Sequence, residues 1–86
     1  MKVVFHKNFK KQYKKLRVSE QKRRNERIML FIENPRHPIL NNHVLGGEYK
    51  NYRSINITED IGAIYELIDK NDVLFITVDT HTNLYS

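Results

Sequence analysis

The chain has 86 residues, no cysteine, and fifteen Lys and Arg against ten Asp and Glu, for a net charge of +5. A chain of this length has room for one domain, predicted over residues 1–86, and without cysteine it forms neither disulfides nor a thiolate zinc site. No apolar stretch approaches the ~18 residues of a membrane span, and the opening residues lack the apolar run of a signal peptide, so we expect a cytoplasmic protein that does not associate with membranes.

The basic charge is concentrated near the N-terminus. Residues 1–27 carry eleven basic and two acidic side chains, whereas residues 54–86 carry one basic and six acidic side chains. Such a field attracts RNA, DNA or an acidic protein through long-range Coulomb attraction and counterion release. The alternative is that these side chains only solvate the outer faces of helices.

The first residues predict a short strand and a basic helix. Val3 and Phe5 alternate with more polar neighbours, which is typical of a strand. Asn8 offers a side-chain oxygen as an N-cap, and a helix is predicted over about residues 8–17. Three side chains at i, i+4 and i+7 form its inner face: Phe9, Tyr13 and Leu16. Lysines occupy the rest of this helix.

A second helix and a rigid loop follow. Ser19 is the predicted N-cap of a helix that runs to about Glu33. Its predicted inner face consists of Ile28, Phe31 and Ile32. Three arginines are expected to point largely to water: Arg23, Arg24 and Arg27. Pro35 and Pro38 disfavour helical geometry, so we expect a rigid crossing loop from Asn34 to Asn42.

Beyond this loop the hydrophobic pattern changes from helical to alternating, which predicts a sheet. One or two strands are expected in Glu48 to Ile57, another in Ile61 to Ile68, and the last in Val73 to Asp79. In the last two strands both faces are largely apolar, which is typical of central strands covered on both sides. The predicted fold is α+β in the order β-α-α-β-β-β, a helical hairpin packed on a small, mostly antiparallel sheet.

Polar residues in the sheet half form the candidate site. They are His43, Lys50, Arg53, Asp60, His81 and Tyr85. The sequence has no glycine-rich phosphate loop, its four histidines lack the spacing of a metal motif, and a lone aspartate is a poor magnesium site. We therefore predict neither a metal nor another cofactor.

Each of these residues also has a structural interpretation. His81 can cap the end of the last strand, and Tyr85 can close the core. Arg53 can form an ion pair with Asp60 or Glu59. The residue types alone leave both interpretations open.

The order of these residues resembles a known family. The motifs that carry the resemblance are His43-Val-Leu-Gly-Gly, Tyr52-Arg53-Ser54-Ile55-Asn56-Ile57, Asp60 before Ile64-Tyr65, and Thr80-His81-Thr82-Asn83-Leu84-Tyr85. Together with the basic helix and the helical hairpin, they look like the signature of the RelE toxin superfamily, particularly its YafQ-like group. The resemblance spans the chain and implies a RelE-like fold.

The resemblance implies that the protein, like other toxins of this group, cuts messenger RNA, usually on the ribosome. In that reaction the ribose 2′-hydroxyl attacks the adjacent phosphate without a metal. The resemblance implies that His81 and His43 are the general acid and base, in undetermined order, and that Asp60 orients a histidine or accepts a proton. Arg53 is implied as the cation that holds the reacting phosphate. The implied RNA contacts are Lys50, Arg53, Tyr85, Lys10, Lys11 and Lys14. We expect one concave, positively charged surface to carry His43, Lys50, Arg53, Asp60, His81 and Tyr85.

The resemblance also implies a cognate, acidic antitoxin that folds on the toxin and silences it. Two positions depart from the pattern of the group. Asn56 stands where YafQ-like toxins often have a second histidine, and Ile61-Gly62 stands where an aromatic or basic residue often follows the aspartate.

Two other functions remain open. ParE-like toxins resemble RelE in fold but act on DNA gyrase, and they need no nuclease residues. A noncatalytic RNA-binding module would account for the basic helices, although it would leave the polar cluster of the sheet without a role.

Overall fold

The computed structural model describes residues 1–46 and 52–85. The helices are α1 (Lys7–Lys15), α2 (Val18–Glu33) and α3 (His81–Tyr85), with a turn of 3₁₀ helix at Pro38–Leu40. The strands are β1 (Lys2–Phe5), β2 (His43–Val44), β3 (Tyr52–Asn56), β4 (Ile61–Leu67) and β5 (Asp72–Thr80). They form one sheet in the order β1-β5-β4-β3-β2. β1 is parallel to β5 and the other neighbours are antiparallel. The predicted α+β class is confirmed, and β2 and α3 are additions to the predicted elements.

Both long helices begin differently from the prediction. The N-cap of α1 is His6, whose Nδ1 accepts the backbone N–H of Asn8 at 3.0 Å, so Asn8 lies inside the helix. In α2 the Glu20 carboxylate reaches back to the backbone N–H of Arg17 at 2.9 Å, and Ser19 lies in the first turn. A side chain three residues into the helix satisfies a terminal N–H as well as a cap residue does.

The main core lies between the helical hairpin and one face of the sheet, which we call the helix face. Its centre is a group of aromatic rings. Phe75 of β5 lies 5.6 Å from Phe9 of α1 and 5.4 Å from Phe31 of α2, and Tyr65 of β4 lies 4.9 Å from Phe31, measured between ring centroids. These side chains are buried, and they hold both helices on β4 and β5.

Two predictions for α2 are wrong. Ile32 is 40% exposed rather than buried. Arg24 does not point to water: its guanidinium lies 4.4 Å from the ring centroid of Phe5 and 4.9 Å from that of Phe9. The helix is rotated so that the long arginine stem covers aromatic rings beside β1, and Ile32 faces outward.

The opposite face of the sheet, which we call the α3 face, is covered in part by the short C-terminal helix. Ser54 and Ile64 are buried on this face, and Leu84 of α3 is 8% exposed. The prediction that the central strands are covered on both sides is therefore confirmed. The last strand ends at Thr80, so His81 begins a helix rather than ending a strand.

The strand bounds agree with the predictions to within a residue or two for β4 and β5. β3 covers only the second part of the predicted strand 48–57, and residues 47–51 lie outside the described ranges. A bulge in β5 adds one residue: Tyr65 lies opposite Phe75 and Ile64 opposite Thr77, with Ile76 between them. Within the described ranges, no helix has the length and apolar character required to span a membrane.

Candidate active site

The predicted site residues divide between the two faces of the sheet. Arg53 lies opposite Tyr65, so both side chains point to the helix face. The Arg53 Nε donates to Asn42 Oδ1 at 2.8 Å, and Asn42 Nδ2 donates to Tyr65 Oη at 2.8 Å and to the Pro35 carbonyl at 2.9 Å. Arg53 therefore ties β3 to the crossing loop, and its partner is an amide rather than the expected carboxylate.

His81 lies on the α3 face, at the end of the sheet where the β3–β4 turn meets the end of β5. Its backbone N–H donates to the Asp60 carbonyl at 2.7 Å. Its ring lies over Gly62: a methyl group added to this glycine would come within 2.9 Å of His81 Cε1 and 3.1 Å of Nδ1. The expectation that Arg53 and His81 share one surface is thus not met. Arg53 lies beside Tyr65 and His81 lies over Gly62, and these two positions of β4 are three residues apart, so they point to opposite faces.

The start of α3 is fixed by side chains from the end of β5. Thr80 Oγ1 accepts the backbone N–H of Asn83 at 3.2 Å, as an N-cap does. Asp79 Oδ1 accepts the backbone N–H of Thr80 at 2.7 Å and the side-chain amide of Asn83 at 3.1 Å. This network sets where His81 leaves the strand. Sequence reasoning missed it; the available signal was Thr80 itself, because threonine is a preferred N-cap residue.

His43 lies on the same face as His81. It belongs to β2 and lies opposite Ser54, whose neighbour in β4 is Ile64. Its Nδ1 lies 2.7 Å from the Asn41 carbonyl oxygen. Because a carbonyl only accepts, Nδ1 carries the proton, and Nε2 is the basic nitrogen of the neutral ring. Strand spacings put the backbones of His43 and Gly62 about 12 Å apart.

Asp60 and Asn56 complete the polar group around His81. Asp60 is exposed in the turn between β3 and β4, where its backbone N–H donates to Thr58 Oγ1 at 3.1 Å. Asn56 lies directly opposite Gly62 in the sheet, and its side chain is therefore on the face that carries His81. The structure places His43, Asn56 and His81 on one face of the sheet, and it places Asp60 in the turn beside the backbone of His81.

The remaining predicted contacts lie elsewhere or outside the described part. Lys10, Lys11 and Lys14 are exposed on α1, which packs on the helix face. Lys50 and the side chain of Tyr85 lie outside the described residues. Two further cations approach the His81 end of the sheet, because Lys15 and Arg17 line a groove of about 440 Å³ together with Asn83 of α3.

Across residues 1–46 and 52–85, no group of three or more His, Asp or Glu side chains is placed to hold a metal ion. The rings of His43 and His81 both lie on the α3 face, and imidazole is the side-chain group most often used for general acid–base catalysis.

Comparison with known proteins identifies the family. The protein-family model described as "Bacterial toxin of type II toxin-antitoxin system, YafQ" matches residues 1–86. Among solved structures, YafQ from E. coli strain BL21(DE3) is 23% identical, with 98% of this chain and 97% of that chain covered and a TM-score of 0.74. The YoeB/ParE toxin from Agrobacterium tumefaciens is 19% identical, with 94% and 99% covered and a TM-score of 0.78. The E. coli DinJ-YafQ complex is 21% identical, with 98% and 97% covered and a TM-score of 0.75.

A search of curated proteins gives no match. The solved structures establish the fold, and the family model covers the whole chain. The protein therefore belongs to the YafQ family and is a toxin of a bacterial type II toxin–antitoxin system.

Proposed function

We propose that the protein is a metal-independent endoribonuclease that cleaves messenger RNA on the ribosome, with His81 and His43 as its general acid and base. The observation that carries this proposal is the presence of both rings on the α3 face, with Asp60 beside the backbone of His81. Two proton-exchanging groups on one surface are what cleavage by an internal nucleophile requires.

The reaction is a transesterification. One group removes the proton of the ribose 2′-hydroxyl, and the 2′-oxygen forms a bond to the adjacent phosphorus. The bond from phosphorus to the 5′-oxygen breaks, and the second group gives a proton to that oxygen. The products are a 2′,3′-cyclic phosphate and a 5′-hydroxyl end. His43 suits the role of base, because its Nδ1 is held by the Asn41 carbonyl and Nε2 is the nitrogen left to accept a proton.

Cations near the site would hold the charge that develops on the phosphate. Lys15 and Arg17 border the groove beside α3, which Glu20 and Asp79 also line. Lys50 is a further candidate cation that the sequence suggests. Tyr85 would stack on a splayed base. Arg53 acts in this proposal by holding β3 on the crossing loop, since its guanidinium lies on the helix face.

As a type II toxin, the protein has an antitoxin partner, as the toxin–antitoxin complexes of its structural relatives indicate. The basic surface of α1 and α2 favours an acidic antitoxin, because opposite net charges accelerate association. Cleavage of ribosome-bound messenger RNA would place the protein in the cytoplasm.

The test is cleavage of messenger RNA by translating ribosomes, with the new ends mapped and typed. We expect 5′-hydroxyl ends that polynucleotide kinase labels without prior phosphatase treatment. His81→Ala should lower the rate by ~10²-fold or more if His81 exchanges a proton in the transition state. Thr82→Ala, an exposed neighbour in α3, is the matched control and should cleave as the parent does.

His81→Gln separates proton transfer from positioning, since glutamine keeps a hydrogen-bonding group but does not titrate. Near-normal cleavage by this variant would transfer the chemical role to His43 or Asp60. Ends carrying a 5′-phosphate, or full activity in both His81 variants, would rule out the proposed mechanism. Inhibition of gyrase supercoiling in the absence of RNA cleavage would favour the ParE-like alternative.

A further inference from the structure

An apolar groove runs along the open edge of β1, at the far side of the sheet from His43. Its walls are the side chains of Met1, Val3 and Phe5 from the β1 segment and Ile28, Met29 and Ile32 from α2, and it encloses about 470 Å³. We call it the β1 groove. Met1 is 52% exposed and Met29 is 62% exposed, although the rest of the outer surface of α2 is mostly charged. A contiguous apolar patch of this kind is typical of an interaction surface.

The Arg24 side chain also lines the β1 groove. The Arg24 guanidinium stacks over three rings, with its central carbon 4.4 Å from the centroid of Phe5, 4.9 Å from Phe9 and 4.6 Å from Tyr13. Its Nη1 donates to Asn25 Oδ1 at 2.7 Å. The Arg24 Nε is buried and has no hydrogen-bond partner in the described part of the chain.

Arg24 also has no carboxylate partner there. The ion pair found within the described ranges joins Arg23 to Glu26, at 3.7 Å, and leaves Arg24 without a counter-ion. Burial lowers the pKa of the Arg24 guanidinium, although it is still charged at neutral pH. A partly desolvated cation that already packs against aromatic rings binds a carboxylate at a smaller entropic cost than an unpacked surface lysine does.

We propose that the β1 groove binds a segment of the antitoxin whose apolar side chains fill the groove and whose aspartate or glutamate pairs with Arg24. The complementarity has two parts, apolar walls and one unpaired cation, and an acidic amphipathic segment matches both. A second copy of this chain would bring a net charge of +5 towards an identical one. RNA offers phosphates to Arg24 but has no apolar side chains for the groove.

This surface is separate from the candidate active site. β1 and β2 lie at opposite edges of the sheet, and the groove is formed with α2, whereas His43 and His81 lie on the α3 face. The inference rests on the toxin–antitoxin role and does not depend on the proposed cleavage chemistry. Substitutions in the groove should therefore weaken antitoxin binding and leave RNA cleavage unchanged.

The test uses the full chain and the protein encoded by the reading frame beside its gene, produced together and then separated for titration by calorimetry. Met29→Glu puts a carboxylate into the apolar groove and should weaken binding tenfold or more. Val18→Glu is the matched control: it makes the same change of charge in the same helix, at a residue that is 82% exposed and outside the groove. This control should change the dissociation constant less than twofold.

Arg24→Lys tests the cation separately, because lysine keeps the charge but loses the planar guanidinium that stacks on the rings. We expect weaker binding with a thermal transition close to that of the parent. Unchanged affinity in both Met29→Glu and Arg24→Lys would overturn the proposal. It would also be overturned if the purified toxin formed a dimer by light scattering that Met29→Glu dissociates, since a second copy would then occupy the groove.

The nuclease mechanism and the groove assignment fail in different ways. If the unmodified toxin binds its partner through the groove but leaves RNA intact, the nuclease mechanism is wrong and the groove assignment stands. If Met29→Glu and Arg24→Lys both cleave RNA normally and still bind the partner with parental affinity, the groove assignment is wrong and the nuclease mechanism stands.

Discussion

Gly62 has no side chain, and the His81 ring occupies the space that a side chain there would fill. A methyl group at this position would lie 2.9 Å from His81 Cε1, which is closer than carbon atoms approach without repulsion. The ring can move away because it stands at the end of a side chain, so the main effect of a methyl group is a displaced imidazole rather than a disrupted sheet. Position 62 therefore sets the orientation of the proposed acid or base.

We expect Gly62→Ala to lower RNA cleavage about tenfold or more, because misplacing a reacting group by about 1 Å is costly. The ring resonances of His81 in NMR spectra should shift at the same time. Gly46→Ala is the control, since nothing lies within 4 Å of the added methyl group. Displaced His81 resonances with undiminished cleavage would show that the reaction does not need this orientation.

Asn42 joins three parts of the fold through one amide. It contacts Arg53, Tyr65 and the Pro35 carbonyl, and these groups are partly or fully buried. Removing the amide leaves the Arg53 Nε and the Tyr65 hydroxyl without this partner. We expect Asn42→Ala to lower the free energy of unfolding by about 1–3 kcal/mol, measured by urea denaturation.

Asn71→Ala provides the matched control for this loss, because Asn71 is exposed in the β4–β5 turn. If the two variants unfold at the same urea concentration, the Asn42 network does not stabilise the fold.

The placement of Arg53 shows where sequence reasoning reached its limit at the scale of single residues. The alternating pattern correctly put Arg53, Ile55 and Ile57 on one side of the strand. It did not indicate which side the helices cover, because the neighbouring strands are apolar on both faces. The grouping of His43 with His81 depended on the order of motifs in the family, and the structure gives both residues the same face.

At the scale of elements, the long helices and strands were predictable because each has a periodic apolar pattern. α3 was not predictable, since its five residues are too few to show a helical period. Its start also depends on hydrogen bonds that the side-chain oxygens of Asp79 and Thr80 accept. The rotation of α2 was also missed. The pattern of α2 allowed either Ile32 or the stem of Arg24 to face inward, and the rings of α1 and β1 favour the arginine.

The α1 helix presents its lysines to solvent, so its contribution to RNA or ribosome binding should be electrostatic. Replacing Lys10, Lys11 and Lys14 together with glutamate should weaken association and flatten its dependence on salt, because fewer counterions are released. The measurement is the dissociation constant for ribosomes or RNA over a series of salt concentrations. Lys70→Glu, in the β4–β5 turn, should keep the parental salt slope, and an unchanged slope in the triple variant would exclude α1 from the binding surface.

At the scale of the whole molecule, the helical hairpin depends on the sheet. Phe9 and Phe31 both pack against Phe75, and Phe31 also packs against Tyr65, in strands far along the chain. A peptide of residues 1–46 retains the helical sequences but loses the surface that buries their aromatic side chains. We expect this peptide to be largely unfolded by circular dichroism at 25 °C. A cooperative thermal transition in the isolated peptide would contradict this dependence.

The parallel pairing of β1 with β5 has a consequence for the nascent chain. Lys2 meets Asp72, 70 positions later, so β1 finds no partner in the sheet until β5 has emerged from the ribosome. Until then the aromatic side chains of the hairpin are exposed and available to chaperones or to aggregation. His81 directly follows β5, so the proposed catalytic face forms only when the sheet closes. A partly synthesised chain therefore lacks this face for a topological reason.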